Sequence, residues 1–213
     1  MSRPELIRLV ETPHGPASAH LRLVDEPRAG LVLGHGAGGG VAARDLVAAA
    51  AVAQSEGIAV VLAEQPYRVA GRRSPAPARQ LDAAWTAVIE HLRAGELRGL
   101  PLVVGGRSLG ARVACRCAAA TSAAGVLCLA FPLQPPRRSG AEPAPSRLPE
   151  LDAVAVPTLV VQGERDPFGM PPPAAHRTVV SVAGDHSLRS DLPAVAAAVQ
   201  AWLRDVLARA RTG

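Results

Sequence analysis

Leu102-Val103-Val104-Gly105-Gly106-Arg107-Ser108-Leu109-Gly110-Ala111-Arg112-Val113 is the stretch on which the reading of this chain turns. An apolar run ends at two glycines, a serine stands between Gly106 and Gly110, and a helix-compatible segment comes directly after. Strand, sharp turn and helix at this spacing describe a nucleophile elbow, in which the serine sits on a strained backbone with its hydroxyl projecting from the turn. Such a turn needs small neighbours, because strand and helix leave no room for a Cβ two residues either side. In a chain with 20 glycines the bare G-x-S-x-G pattern arises readily by chance. Its weight therefore comes from the flanking elements and from partner residues further along the chain.

Working outward, short runs rich in Val and Leu recur with helical segments between them, the signature of a parallel sheet covered on both faces. Strands are expected over 30–34, 58–63, 101–104, 125–130, 157–162 and 176–182, and helices near 42–56, 78–94, 109–121 and 192–209. Ahead of these, 5–10 and 19–24 alternate like an antiparallel pair joined by Pro13-His14-Gly15-Pro16. Eight strands and at least four helices result. Residues 132–149 are crowded with Pro, Arg, Ser and Gly and lack a periodic apolar pattern. They read as a long loop bordering the carboxyl edge of the sheet, too small to form a helical cap.

Length and composition narrow the classes. At 213 residues the chain suits one domain over 1–213. Met1-Ser2-Arg3-Pro4-Glu5 does not open a secretory signal and no apolar stretch reaches membrane-spanning length, so a soluble, cytoplasmic protein without a membrane partner is expected. The net charge of +5 is carried by arginine alone. Lysine and asparagine are absent, a pattern that points to codon bias. Arginines and acids alternate without a polybasic block, and the aromatics are only Tyr67, Trp85, Phe131, Phe168 and Trp202, so nucleic-acid binding is not expected. Cys115, Cys117 and Cys128 lack metal or redox spacing and read as buried free thiols.

Serine is a weak nucleophile unless a base takes its proton and a third group orients that base. The strand at 157–162 runs into Gly163-Glu164-Arg165-Asp166-Pro167, and the strand before the last helix runs into Gly184-Asp185-His186-Ser187-Leu188. Both loops fall at the same edge of the sheet as the elbow. Ser108, Asp166 and His186 thus stand in the chain order of the α/β-hydrolases, unlike the orders of the chymotrypsin and subtilisin types. Glu164 and Asp185 are rival acids; Asp185 adjoins the histidine too closely to reach its Nδ1, and Glu164 reads as a surface carboxylate. The glycine loop Gly34-His35-Gly36-Ala37-Gly38-Gly39-Gly40 exposes backbone amides beside the elbow, and the oxyanion donors are assigned to the N–H groups of Ala37 and Leu109. Such donors contribute about 3 kcal/mol each to acyl transfer.

These blocks resemble a compact, capless α/β-hydrolase of the dienelactone-hydrolase-like group. The closer resemblance is to small bacterial hydrolases related to the hydrolase-like subunit of the NSL histone-acetyltransferase complex. It is carried by the glycine loop, by Glu64-Gln65-Pro66-Tyr67-Arg68-Val69-Ala70-Gly71-Arg72-Arg73, by Gly105 to Arg112, by Phe131-Pro132-Leu133, by Gln162-Gly163 with Asp166-Pro167-Phe168-Gly169, and by Gly184-Asp185-His186. The resemblance implies a three-layer α/β sandwich around an eight-stranded, mostly parallel sheet whose second strand runs antiparallel. It brings no substrate: dienelactone hydrolases proper carry cysteine where this chain has Ser108, and some relatives act as subunits.

The expected chemistry is hydrolysis of a small ester, thioester or lactone through an acyl-enzyme, needing no cofactor and no metal. Tyr67, Arg68 and Arg107 are candidates to touch substrate, and with Arg72, Arg73, Arg137 and Arg138 the arginines either select an anionic substrate or pair with acids to fix the loops. His35 is expected to brace the glycine loop. Two rivals stand beside this reading. Gly34-x-Gly36-x-x-Gly39 with Glu64 also satisfies a dinucleotide fingerprint, although the glycines come after the third strand rather than the first. A hydrolase scaffold serving as an interaction module is the other. Oligomeric state is not legible.

Overall fold

The computed structural model describes residues 6–136, 142 and 144–210. Among them one eight-stranded sheet has the order β1-β2-β4-β3-β5-β6-β7-β8. The strands are β1 (Leu6–Val10), β2 (Ala17–Arg22), β3 (Ala29–Gly34), β4 (Ile58–Glu64), β5 (Leu102–Arg107), β6 (Gly125–Leu129), β7 (Thr158–Gly163) and β8 (Arg177–Val182). The helices are α1 (Arg44–Ser55), α2 (Pro66–Val69), α3 (Ala78–Ala94), α4 (Leu109–Cys117), α5 (Leu148–Asp152) and α6 (Leu192–Ala210). β2 runs antiparallel to both neighbours, and every pairing from β4 to β8 is parallel.

The central strands are apolar apart from polar residues at their ends, because both faces are covered, and their period of two divides the core cleanly. Val32, Ala59, Val61, Ala63, Val104, Val126, Cys128 and Val160 face α3, α4 and α5, where Trp85 fills the largest volume. Leu31, Leu33, Val60, Leu62, Leu127, Leu129 and Val161 face α1 and α6. The thiols belong to this packing: Cys115 and Cys128 lie Sγ to Sγ at 3.5 Å, free and buried. Burial pushes the Cys117 thiol up to about 11, leaving it protonated and unreactive at neutral pH.

The elbow helix α4 is tied down on its outer side by charge. Arg112 grips Glu150 of α5 with two hydrogen bonds of 2.8 and 2.6 Å, and Arg116 reaches both Asp82 of α3 at 2.6 Å and Glu150 at 3.2 Å. Burial alone would raise the Glu150 carboxyl, but the two guanidiniums hold it below its ordinary value. Bidentate, partly buried networks of this kind contribute more than isolated surface pairs.

Three expectations shift. β2 covers Ala17–Arg22 rather than 19–24, because its pairing with β4 sets Ser18 opposite Glu64 and Arg22 opposite Val60. The preceding turn needs Gly15, which has φ +97°, with Thr12 Oγ1 donating to the Gly15 carbonyl. α4 ends at Cys117 rather than 121, and Thr121 Oγ1 donates back to the Cys117 carbonyl at 2.9 Å. The span 132–149 ends in α5, a helix too short to show a period. Its base is closed by the Arg147 N–H on the Leu133 carbonyl and Arg147 Nη1 on that of Pro132. Glu5, Arg137 and Arg138 lie outside the described residues.

Candidate active site

β3, β4 and β5 align so that Gly34 is opposite both Ala63 and Gly106. Their carboxyl ends therefore present the glycine loop, the β4–α2 segment and the elbow side by side. Ser108 has φ +51° and ψ −108° and occupies the N-cap of α4. That conformation is strained for a residue with a Cβ, as nucleophile turns require. The flanking glycines are explained by contact. A Cβ on Gly106 would lie 2.4 Å from the Gly34 oxygen, and one on Gly110 would lie 2.3 Å from the same atom.

Asp166 and His186 come to the serine from the ends of β7 and β8. Ser108 Oγ is 2.9 Å from His186 Nε2, and His186 Nδ1 is 2.8 Å from Asp166 Oδ2. Because the carboxylate only accepts, Nδ1 carries the ring proton and Nε2 is free to accept from the serine hydroxyl. The Asp166 side chain is fully buried, that of His186 one-fifth exposed. The acid is itself held: Phe168 N–H donates to Oδ1 at 2.9 Å and Gln162 Nε2 to Oδ2 at 2.8 Å. The same Nε2 lies within hydrogen-bonding distance of the carbonyls of Phe131 and Gly169, its two N–H groups shared among the three acceptors, so one buried amide joins the ends of β6 and β7. The Phe168 ring leans on the imidazole with centroids 4.5 Å apart. Sequence reasoning gave Gln162 and Phe168 no role; the available signal was a polar residue at the end of an otherwise apolar buried strand.

The rival acids are placed elsewhere. Glu164 is exposed. Asp185 Oδ1 accepts from the Ser187 hydroxyl at 2.6 Å and N–H at 2.8 Å, which holds its carboxyl below the usual range and braces the histidine loop.

His35 is buried under the glycine loop. Gln65 N–H donates to its Nε2 at 3.1 Å, so Nδ1 carries the proton and donates to the Gly36 carbonyl at 2.8 Å. Burial lowers its pKa from 6.5, keeping the ring neutral. A depressed folded-state pKa gives stability that is present above the unfolded value of about 6.5 and lost as pH falls through the folded one. Thermal melts from pH 7 to pH 5 are expected to show the wild type losing a few degrees more than His35→Gln; parallel curves would contradict a neutral, loop-bracing His35.

Two of the residues expected at the substrate make polar contacts within the protein. The Tyr67 hydroxyl donates to the Ala37 carbonyl at 2.9 Å, and burial pushes its pKa up to about 12. The ring lines a cavity of about 100 Å³ with His14, Gln65, Arg72 and Leu81 that does not include Ser108. Arg107 places Nε 2.9 Å from Asp45 Oδ2 and donates from Nη2 to the His186 carbonyl at 2.9 Å. Arg68 is only partly buried, with Nη1 3.4 Å from the Arg72 carbonyl. Among the described residues it has no carboxylate partner, and its Nε lacks a hydrogen bond. Glu64, the acid of the dinucleotide reading, points toward His20 at 3.7 Å and toward Gly40. Among the described residues no cluster of His, Cys, Asp and Glu is arranged to hold a metal ion, and no helix is long and apolar enough to cross a membrane.

A strained elbow serine on a mostly parallel, capless sheet defines an α/β hydrolase. The chain belongs to the α/β-hydrolase domain family, whose model matches residues 27–201. It is similar in fold to a lidless α/β serine hydrolase from Xanthomonas campestris, with 21% identity over 94% of each chain and a TM-score of 0.73. Est1E from Butyrivibrio proteoclasticus, a protein also seen with ferulic acid bound, superposes with a TM-score of 0.75 at 15% identity over 95% of this chain and 99% of its own. A dienelactone hydrolase from Anabaena variabilis gives 0.73 at 17% identity, covering 95% and 97% of the two chains. None of the curated proteins matches this chain.

Proposed function

We propose that this protein is a serine hydrolase that cleaves a small ester, thioester or lactone through an acyl-enzyme. The observation that carries the reading is the continuous hydrogen-bonded line from Ser108 Oγ through His186 to Asp166, at 2.9 and 2.8 Å. Ser108 Oγ attacks the carbonyl carbon as His186 Nε2 takes its proton, and Asp166 stabilises the imidazolium that forms. The tetrahedral oxyanion accepts from the N–H groups of Ala37 and Leu109. Leu109 is the first residue of α4, where the N–H has no intrahelical acceptor and the helix end favours negative charge. Tyr67 on the Ala37 carbonyl and His35 on the Gly36 carbonyl fix the other donor. His186 then protonates the leaving group, accepts a proton from water for deacylation and returns it to Ser108. This cycle draws on no cofactor or metal.

Of the two arginines among the expected substrate contacts, Arg68 has no carboxylate partner among the described residues, and we assign it to the mouth of the site, where it favours acyl or leaving groups bearing negative charge. Three free thiols support a reducing, cytoplasmic setting. Turnover of short acyl esters, thioesters and lactones by the purified protein tests the reading. Hydrolysis lost in Ser108→Ala is the expected result, and no turnover of any of the three classes by folded wild type would overturn it.

A further inference from the structure

Arg107 immediately precedes the nucleophile, yet its side chain reaches away from the serine to three other parts of the site. Nε lies 2.9 Å from Asp45 Oδ2 in the first turn of α1, and Nη2 donates to the His186 carbonyl at 2.9 Å. Nη1 packs over the glycine loop: a Cβ on Gly36 would come within 3.0 Å of it. Asp45 is 1% exposed; its Oδ1 accepts from Leu46 N–H at 3.0 Å, and Oδ2 has the guanidinium as its ionic partner. Burial raises the Asp45 pKa and the Arg107 charge opposes that rise.

We propose that Arg107 is a positioning residue, which sets the imidazole of His186 against Ser108 by holding the His186 carbonyl from an anchor on Asp45. The inference rests on the acyl-enzyme reading above. The physical need is clear from the loop that carries the base. It is a short connection between β8 and α6 with Gly184 at φ +123° and Leu188 at φ +52°, and the triad bonds constrain only the ring. The direction of the ring depends on the peptide at 186. A planar guanidinium has a rigid fork of donors, so fixing Nε on Asp45 also fixes where Nη2 points. Since Arg107 and Ser108 are adjacent in the chain, the base is referenced to the nucleophile through a single side chain. The same group packs against Gly36, so the loop carrying the proposed oxyanion donor at Ala37 shares that reference. Nε and Nη2 are engaged by Asp45 and the His186 carbonyl, and Nη1 lies against the glycine loop at Gly36.

Arg107→Met, Arg107→Lys and Asp45→Asn are compared with wild type on an ester that the wild type turns over. Loss of alignment lowers kcat without weakening ground-state binding, so Arg107→Met is expected to reduce kcat by about 10- to 100-fold with KM changed less than about threefold. Arg107→Lys, which reaches Asp45 but lacks the fork, recovers only part of the loss. Because Arg107→Met leaves Asp45 buried without its cation, the variant Asp45→Asn/Arg107→Met removes both charges and is measured beside it. Its kcat loss is expected to be smaller than the product of the two single losses, since both act through one linkage. The low-field proton signal of His186 Nδ1–H, bonded to Asp166, reports alignment without substrate and should broaden or vanish in the Arg107→Met proteins. An unchanged kcat and an unchanged Nδ1–H signal in a folded double variant would overturn the proposal alone. A large rise in KM for carboxylate-bearing esters with kcat retained would overturn it too, returning Arg107 to the substrate. Absence of turnover by wild type, with Ser108 unreactive, would remove the hydrolase reading and this proposal together.

Discussion

Asp166→Asn should lower kcat by about four orders of magnitude in a protein that still folds, the scale set by loss of the correct histidine tautomer in serine hydrolases generally. Asp166 Oδ1 accepts from Phe168 N–H, and Oδ2 accepts from both His186 Nδ1 and Gln162 Nε2. An asparagine satisfies Phe168 only by placing its amide oxygen there and its NH₂ where Oδ2 had been. That NH₂ then opposes two donors. The imidazole relieves the conflict by moving its proton to Nε2, where it can no longer accept from Ser108. Gln162 would have to turn over, giving up its bonds to the Phe131 and Gly169 carbonyls, at about 1–3 kcal/mol of stability. Glu164→Gln, at an exposed position, should leave kcat near wild type. Steady-state kinetics with circular dichroism on both variants decides the matter. An Asp166→Asn enzyme within tenfold of wild type would mean that another acid orients the base.

Gly110→Ala should cost about 3 kcal/mol or more, by the mechanism of overpacking against backbone. The new Cβ would stand 2.3 Å from the Gly34 oxygen, 2.5 Å from its carbonyl carbon and 2.9 Å from the His35 oxygen. None of these atoms can swing aside, because Gly34 ends β3 in register between β4 and β5. Relief comes only by driving α4 off the sheet, against the Arg112 and Arg116 network that ties α4 to α3 and α5. The displacement also separates Ser108 from the glycine loop. A fall in melting temperature of about 10 °C is expected, with activity of the remaining folded protein reduced further. A melting temperature within about 2 °C of wild type would contradict steric exclusion as the reason glycine stands there.

Much of this arrangement was legible in the residues because the physics that fixes it is local. Buried strands such as β4 are apolar from Ile58 to Ala63, and their positions were readable from that alone. Ser108 directly follows β5, and Asp166 and His186 come within a few residues of the ends of β7 and β8, so the sheet brings all three to one edge. Short helices escaped: Pro66–Val69 and Leu148–Asp152 hold too few turns to show a period, and a proline near the start of each reads equally as a loop. The start of β2 escaped because alternation is satisfied equally by a shift of two residues, and only pairing with β4 selects one. Roles that depend on partners distant in the chain were the least legible. Nothing near Arg107 announces that its guanidinium meets the carbonyl of a residue 79 positions later, or that the Tyr67 hydroxyl closes on Ala37, 30 positions earlier. In sequence both looked like groups available to a ligand.

The most direct test of the central claim is labelling of the purified protein by a fluorophosphonate probe, with the attachment site read by mass spectrometry. Only a serine whose proton is taken by a base, beside donors that stabilise the developing oxyanion, reacts rapidly with such a probe. One adduct is expected, on Ser108, absent in Ser108→Ala and strongly slowed in Asp166→Asn. A folded wild type that remains unlabelled, or that carries the probe on a different residue, would contradict an activated serine at this elbow.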